Sequence, residues 1–148
     1  MRTTNALLIL AFLAFTALTG CTTGPDGKQR IDAKKVEPWA RLAAYGGTRA
    51  MLVAKPETRP AFDVGAAALR ALVGEDWQAQ QAALKAILAQ FPVDQINDAD
   101  IGIAVETFRD LFEQLIDGLG GVSDELKTKE LSTIALALAD GVERALTN

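Results

Sequence analysis

The chain has 148 residues, a formal net charge of −4 and a pI near 4.8. This balance argues against a general nucleic-acid binder, which carries a basic surplus. Histidine is absent and cysteine occurs once, which excludes His-based triads, His-ligated metals and internal disulfides.

The amino-terminal stretch Met1-Arg-Thr-Thr-Asn5 is short and carries one positive side chain. Residues 6–18 are 12 of 13 apolar, the exception being Thr16. As a helix this run measures about 20 Å, against roughly 30 Å for a bilayer core. It therefore suits the core of an export signal better than a membrane span. Leu18-Thr19-Gly20-Cys21 comes next. This tetrapeptide resembles the lipobox of bacterial lipoproteins: an aliphatic residue, a small residue, Gly or Ala, then Cys. Small residues before the cut let an extended backbone enter a protease cleft, and a thiol is the soft nucleophile that accepts a diacylglyceryl group.

The resemblance implies cleavage between Gly20 and Cys21, a thioether-linked diacylglyceryl group on Cys21, and often a third acyl chain on its amine. Two or more chains, at about 0.8 kcal/mol per buried methylene, make a stable membrane anchor. It also implies a place in the bacterial cell envelope. Thr22, where Asp tends to retain such proteins at the inner membrane, favours the outer membrane facing the periplasm in a host with two membranes. The resemblance covers residues 1–21 and implies processing, not activity. A sole cysteine also suits an oxidising compartment, since it leaves no thiol to mispair.

Residues 21–31 read as the lipidated cysteine and a short flexible tether. Thr22-Thr-Gly-Pro-Asp-Gly27 is rich in turn formers and lacks apolar residues. About ten residues reach at most ~35 Å extended, or ~17 Å as a coil, which keeps the rest of the chain close to the membrane.

Residues 32–148 read as a helical domain. Residues 21–148 hold 60 apolar residues of 128, enough for one core. Alanine, the best helix former, supplies 22 of them. Five helices are expected. The first covers about 36–54, starts at Glu37-Pro38 and turns Trp39, Leu42, Ala43, Gly46, Ala50 and Val53 to one face. Gly46 and Gly47 read as close helix packing through small residues, the alternatives being a break, a hinge or a ligand approach.

The second helix begins after a Thr58 cap, with Pro60 in its first turn. Phe62, Ala66, Leu69 and Val73 point inward, and Gly74 stops it. The third starts at Asp76 and ends before Pro92, with Trp77, Leu84, Leu88 and Phe91 as its core face and Gln78, Gln80 and Gln81 as its wet face. The fourth is the clearest. Ile101, Val105, Phe108, Phe112, Leu115 and Leu119 recur at steps of 4, 3, 4, 3 and 4, one continuous helical stripe that Gly118, Gly120 and Gly121 close. The fifth starts at Ser123 or Thr128 and runs to Leu146, burying Leu131, Ile134, Ala135, Leu138, Val142 and Leu146. Short connectors predict sequential helices packed as antiparallel neighbours.

Charge is uneven. Residues 22–70 hold 9 basic and 5 acidic side chains, a balance of +4, and residues 71–148 hold 5 and 14, a balance of −9. Lys28, Arg30, Lys34 and Lys35 adjoin the anchor, as a solvated approach to the first helix or as attraction for anionic headgroups. Glu106, Asp110, Glu113 and Asp117 recur at steps of 4, 3 and 4, interrupted by Arg109. This acidic stripe reads first as the solvated face of an amphipathic helix and second as a surface for a basic partner. A metal site there is disfavoured, because neighbouring carboxylates on one exposed helix do not enclose a cation.

Chemistry finds little footing. Asp94, Asn97, Asp98 and Asp100 precede Gly102, but setting that glycine at the sixth position of a calcium loop puts Ala99 and Ile101 at ligand places. Helix capping near Asn97 or Asp98 accounts for them better. The two serines, Ser123 and Ser132, lie in no hydrolase motif and have no histidine as base. A lysozyme-like enzyme needs only carboxyl groups, yet the aromatics that would line a sugar groove largely fit the helical stripes. The sequence thus predicts a small all-α lipoprotein, non-enzymatic and without cofactor or metal. It is held to the membrane through Cys21 and offers helix faces to an envelope protein partner. The alternative is a helical carrier with an apolar cavity lined by Phe62, Phe91, Phe108, Phe112 and Leu115; a cell-wall enzyme ranks below both.

Overall fold

Five α-helices account for most of the described residues in a computed structural model: α1 (Ala33–Ala54), α2 (Arg59–Ala71), α3 (Trp77–Ala89), α4 (Ala99–Gly118) and α5 (Asp124–Thr147). The structure describes residues 21–23, 29–89, 96 and 98–148. The export signal expected over 1–20, the centre of the tether at 24–28, and Phe91, Pro92, Asp94 and Asn97 lie outside them. The small Ala-rich helical bundle expected from the sequence is the fold observed.

Side-chain contacts between helices fix their directions. The Ala33 N–H at the start of α1 donates to the Glu130 carboxylate of α5, and Arg41 further along α1 meets Asp140 at 3.7 Å. The two helices therefore run parallel. Arg59 donates to the Leu146 carbonyl while Arg70 reaches Asp140 and Glu143, so α2 runs antiparallel to α5. Gly118 abuts Arg30 before α1, and Ile101 abuts Gly46 near its far end, so α4 is antiparallel to α1. Trp77 and Gln80 of α3 face Lys127 and Ser132 of α5, which sets these two parallel.

Direction thus alternates along the chain, but packing does not obey chain order. The extensive contacts are α1 on α5, α4 on α1, and α2 and α3 on α5. The expected packing of sequential helices on one another is therefore replaced by a central parallel pair, α1 and α5, with the other three around it. Small residues make that pair close. A Cβ placed on Gly141 would lie 2.7 Å from Ala44 Cβ and 3.0 Å from the Tyr45 backbone nitrogen, so the two backbones nearly touch there. Gly46 works the same way against Ile101, whose side chain lies 3.2 Å from its would-be Cβ. α1 passes through Gly46 and Gly47 unbroken, and both are buried, as close packing requires.

Of the predicted core of α4 and α5, Val105, Phe108, Phe112, Leu115 and Leu119 are buried in one cluster with Leu131, Ile134, Ala135, Leu138, Val142 and Leu146, and Ile101 is half-buried against it. Asp98 caps α4, accepting from the Asp100 and Ile101 amides at 3.0 and 3.3 Å. Ser123 caps α5 through Leu126 N–H, and Asp76 caps α3 through Ala79 N–H at 2.9 Å.

Four details depart from expectation. α1 begins three residues early, with Pro38 inside it and no side-chain bond from Asp32, its N-cap; Glu130 of α5 satisfies the first amide instead. Thr58 does not cap α2, because its hydroxyl donates back to the Lys55 carbonyl at 2.7 Å within a 3-10 turn over Pro56–Thr58. Val73 is 42 % exposed, since α2 ends at Ala71 and the chain turns at Gly74, φ +113°. On α1, Leu42 and Val53 are exposed, because the helix turns its Ala and Gly face to α5 and α4.

The flexible tether also needs correcting at both ends. Cys21–Thr23 (β1) and Gln29–Ile31 (β2) pair as an antiparallel ribbon, with Cys21 opposite Ile31 and Thr23 opposite Gln29. β2 rests on α4, and Ile31 packs against the core.

Candidate interaction surface

The acidic stripe is where the helical period put it. Glu106, Asp110, Glu113 and Asp117 succeed one another along α4 and all four are exposed. They occupy the face left over once Val105, Phe108, Phe112 and Leu115 turn inward, which is what a helical period of 3.6 dictates. None of the four takes part in an ion pair among the described residues. Arg109 does not divide the stripe, because it turns aside to donate to the Leu88 carbonyl at 3.2 Å and so holds the end of α3 to α4. The result is an uninterrupted row of carboxylates open to water. No group of three or more metal-ligating side chains capable of holding an ion occurs among the described residues.

A second charged cluster was not anticipated. Arg70 of α2 forks onto Glu143 of α5, its Nε and Nη2 each 2.6 Å from a carboxylate oxygen, and also reaches Asp140 at 2.9 Å. Arg41 of α1 meets Asp140 from the other side and Glu37 at 2.7 Å. The hydrogen bonds it donates to Glu143 and then Asp140 push the Arg70 guanidinium further up, and the bond from Arg70 holds the Glu143 carboxyl below its usual range. Such bidentate geometry is the most favourable for an exposed pair. The cluster borders a shallow, open depression lined by Asp140, Glu143, Arg144 and Thr147. Its signal in the sequence was the charge imbalance: the basic first part of the chain docks on the acidic last helix.

A buried polar contact joins α3 to α5. Gln80, expected on the wet face, is 0 % exposed. Its amide donates to the Leu72 carbonyl and to Ser132 Oγ, both at 2.8 Å, which ties the α2–α3 turn to α5. Next to it Lys127 Nζ sits 4.2 Å over the Trp77 ring, a cation–π contact. Both serines are thereby engaged, one as a cap and one with Gln80.

The groups expected to line a carrier cavity are distributed differently. Phe108 and Phe112 pack tilted at 46° with centroids 6.0 Å apart, and with Leu115 they are buried in the core. Phe62 is half-buried, and Phe91 lies outside the described residues. The lipobox residues Leu18 to Gly20 also lie outside them, and of Cys21 the backbone alone is described, paired in the ribbon. No described helix is long and apolar enough to cross a membrane. The chain matches no family model, no curated protein and no solved structure.

Proposed function

We propose that this chain is a bacterial lipoprotein whose helical domain has a non-enzymatic interaction role at the cell envelope. The observation that carries the reading is Leu18-Thr-Gly-Cys21 set directly behind a run of 12 apolar residues in 13. A diacylglyceryl group on Cys21, with cleavage between Gly20 and Cys21, gives a lasting membrane attachment, with the outer membrane facing the periplasm favoured in a host with two membranes. The partner face is the row Glu106, Asp110, Glu113 and Asp117, exposed and without ion pairs among the described residues. Its charge suits a protein partner with a basic surface, recruited faster at low salt. The filled packing of Phe108, Phe112 and Leu115 favours this role over that of a carrier.

Fractionation of cells expressing the wild type and Cys21→Ser tests the attachment. The wild type is expected in the membrane fraction, resistant to salt washing, and the variant in the soluble fraction; equal distribution would count against the reading. In-cell crosslinking from positions 106, 110, 113 and 117 tests the surface. A discrete crosslinked protein that disappears when the four acids are replaced by Gln and Asn supports it. Absence of any crosslink removes that face.

A further inference from the structure

We infer that the bundle stands end-on to the bilayer, with the end formed by the ribbon, the starts of α1 and α5 and the 119–123 turn seated on a phospholipid headgroup surface. This rests on the proposed acylation of Cys21. The decisive observation is the pairing of the ribbon. Cys21 lies opposite Ile31, and opposed Cα atoms in an antiparallel pair are about 4.5–5.5 Å apart. The same ten steps of chain would separate them by roughly 35 Å if extended. The described ends of the tether thus lie side by side.

Its inner strand is fixed to the body of the protein. Ile31 packs against the core, and Arg30 lies against Gly118, where a Cβ would meet its Cβ at 3.2 Å. Asp32 comes next as the N-cap of α1. The residue bearing the acyl chains therefore leaves the protein beside the end where α1 and α5 begin and α4 finishes. The chain between lipid and bundle is too short, once paired, to let another face turn toward the membrane.

This posture orders the molecule by height. The 22 residues of α1 rise about 33 Å, so the Pro56–Thr58 turn stands roughly a bundle length from the headgroups. Because α4 descends antiparallel to α1, Asp117 is the acid of the stripe nearest the bilayer and Glu106 the farthest. The stripe consequently faces sideways, toward a partner standing in the same aqueous layer.

Single thiols at Lys34→Cys, Asp110→Cys and Glu57→Cys, all exposed positions, report height. The processed full-length protein is spin-labelled and inserted into phosphatidylcholine–phosphatidylglycerol vesicles doped with a nickel-chelating headgroup lipid. Relaxation by the headgroup nickel is expected to be severalfold stronger at 34 than at 57, with 110 between. Equal relaxation at the three sites overturns the upright posture, and strongest relaxation at 57 inverts it and also overturns it. Palmitate incorporation is measured in the same preparations. A labelled protein with no gradient defeats the posture alone, whereas a protein that takes up no palmitate defeats the acylation on which it rests, and the posture with it.

Discussion

α5 and α2 are both rich in small apolar residues, yet they use them in opposite ways. In α5, Ala135, Ala137, Ala139, Gly141 and Ala145 are buried against other helices. In α2, Ala61, Ala67, Ala68 and Ala71 face water, and Ala66 and Leu69 alone are buried. The difference lies in neighbours. α5 is surrounded by α1, α2 and α3, whereas α2 packs chiefly on α5. A small side chain in the centre of the bundle permits backbone contact. The same side chain at the periphery supplies helix propensity and little else.

Core truncation should show the largest contrast. Leu138→Ala, at a fully enclosed position, is expected to cost about 2–5 kcal/mol, while Val64→Ala on exposed α2 should change stability by less than about 0.5 kcal/mol. Denaturant melts of both variants measure the gap, and similar losses would erase the distinction between the regions. Glycine substitution should even change sign. Gly141→Ala drives a methyl into α1 and should cost about 1–3 kcal/mol. Gly65→Ala meets nothing within 4 Å and should gain roughly 0.5–1 kcal/mol.

The boundary between the regions is sharpened by Gln80. Gln80→Leu leaves the Leu72 carbonyl and Ser132 without their shared donor and should cost about 1–2 kcal/mol. Hydrogen exchange in that variant should quicken in α2 and α3 before α5. The smallest effect belongs to the surface pair. Because Arg70 holds the Glu143 carboxyl below its usual range, its stabilisation is complete above about pH 4.3. It is lost as pH falls through the lowered native value. Solvent screening keeps it small, so Glu143→Gln should be slightly less stable at neutral pH and lose less below pH ~4. Thermal melts across that range check it.

What the sequence made legible was what repeats locally. The 4-3-4-3-4 stripe of α4 fixed its inner face, and with it the outward row of acids, because both arise from one helical period. The start of α3 at Asp76 was readable for the same reason: its carboxylate and the amide it caps lie within three residues. Features set by distant partners were not. The start of α1 depends on Glu130, 97 positions away. The burial of Gln80 depends on Ser132. The need for Gly141 depends on the backbone of α1. The ribbon was hidden because Cys21–Thr23 and Gln29–Ile31 are three residues each, too short to show an alternating apolar pattern.

The proposed function depends on the fate of one sulfur atom, and intact-mass and peptide mass spectrometry of the protein recovered from bacterial membranes address it most directly. The expected product is a mature chain that begins at Cys21 and carries a diacylglyceryl group on its Sγ. A chain that retains residues 1–20, or a mature chain whose Cys21 thiol is unmodified, would contradict it.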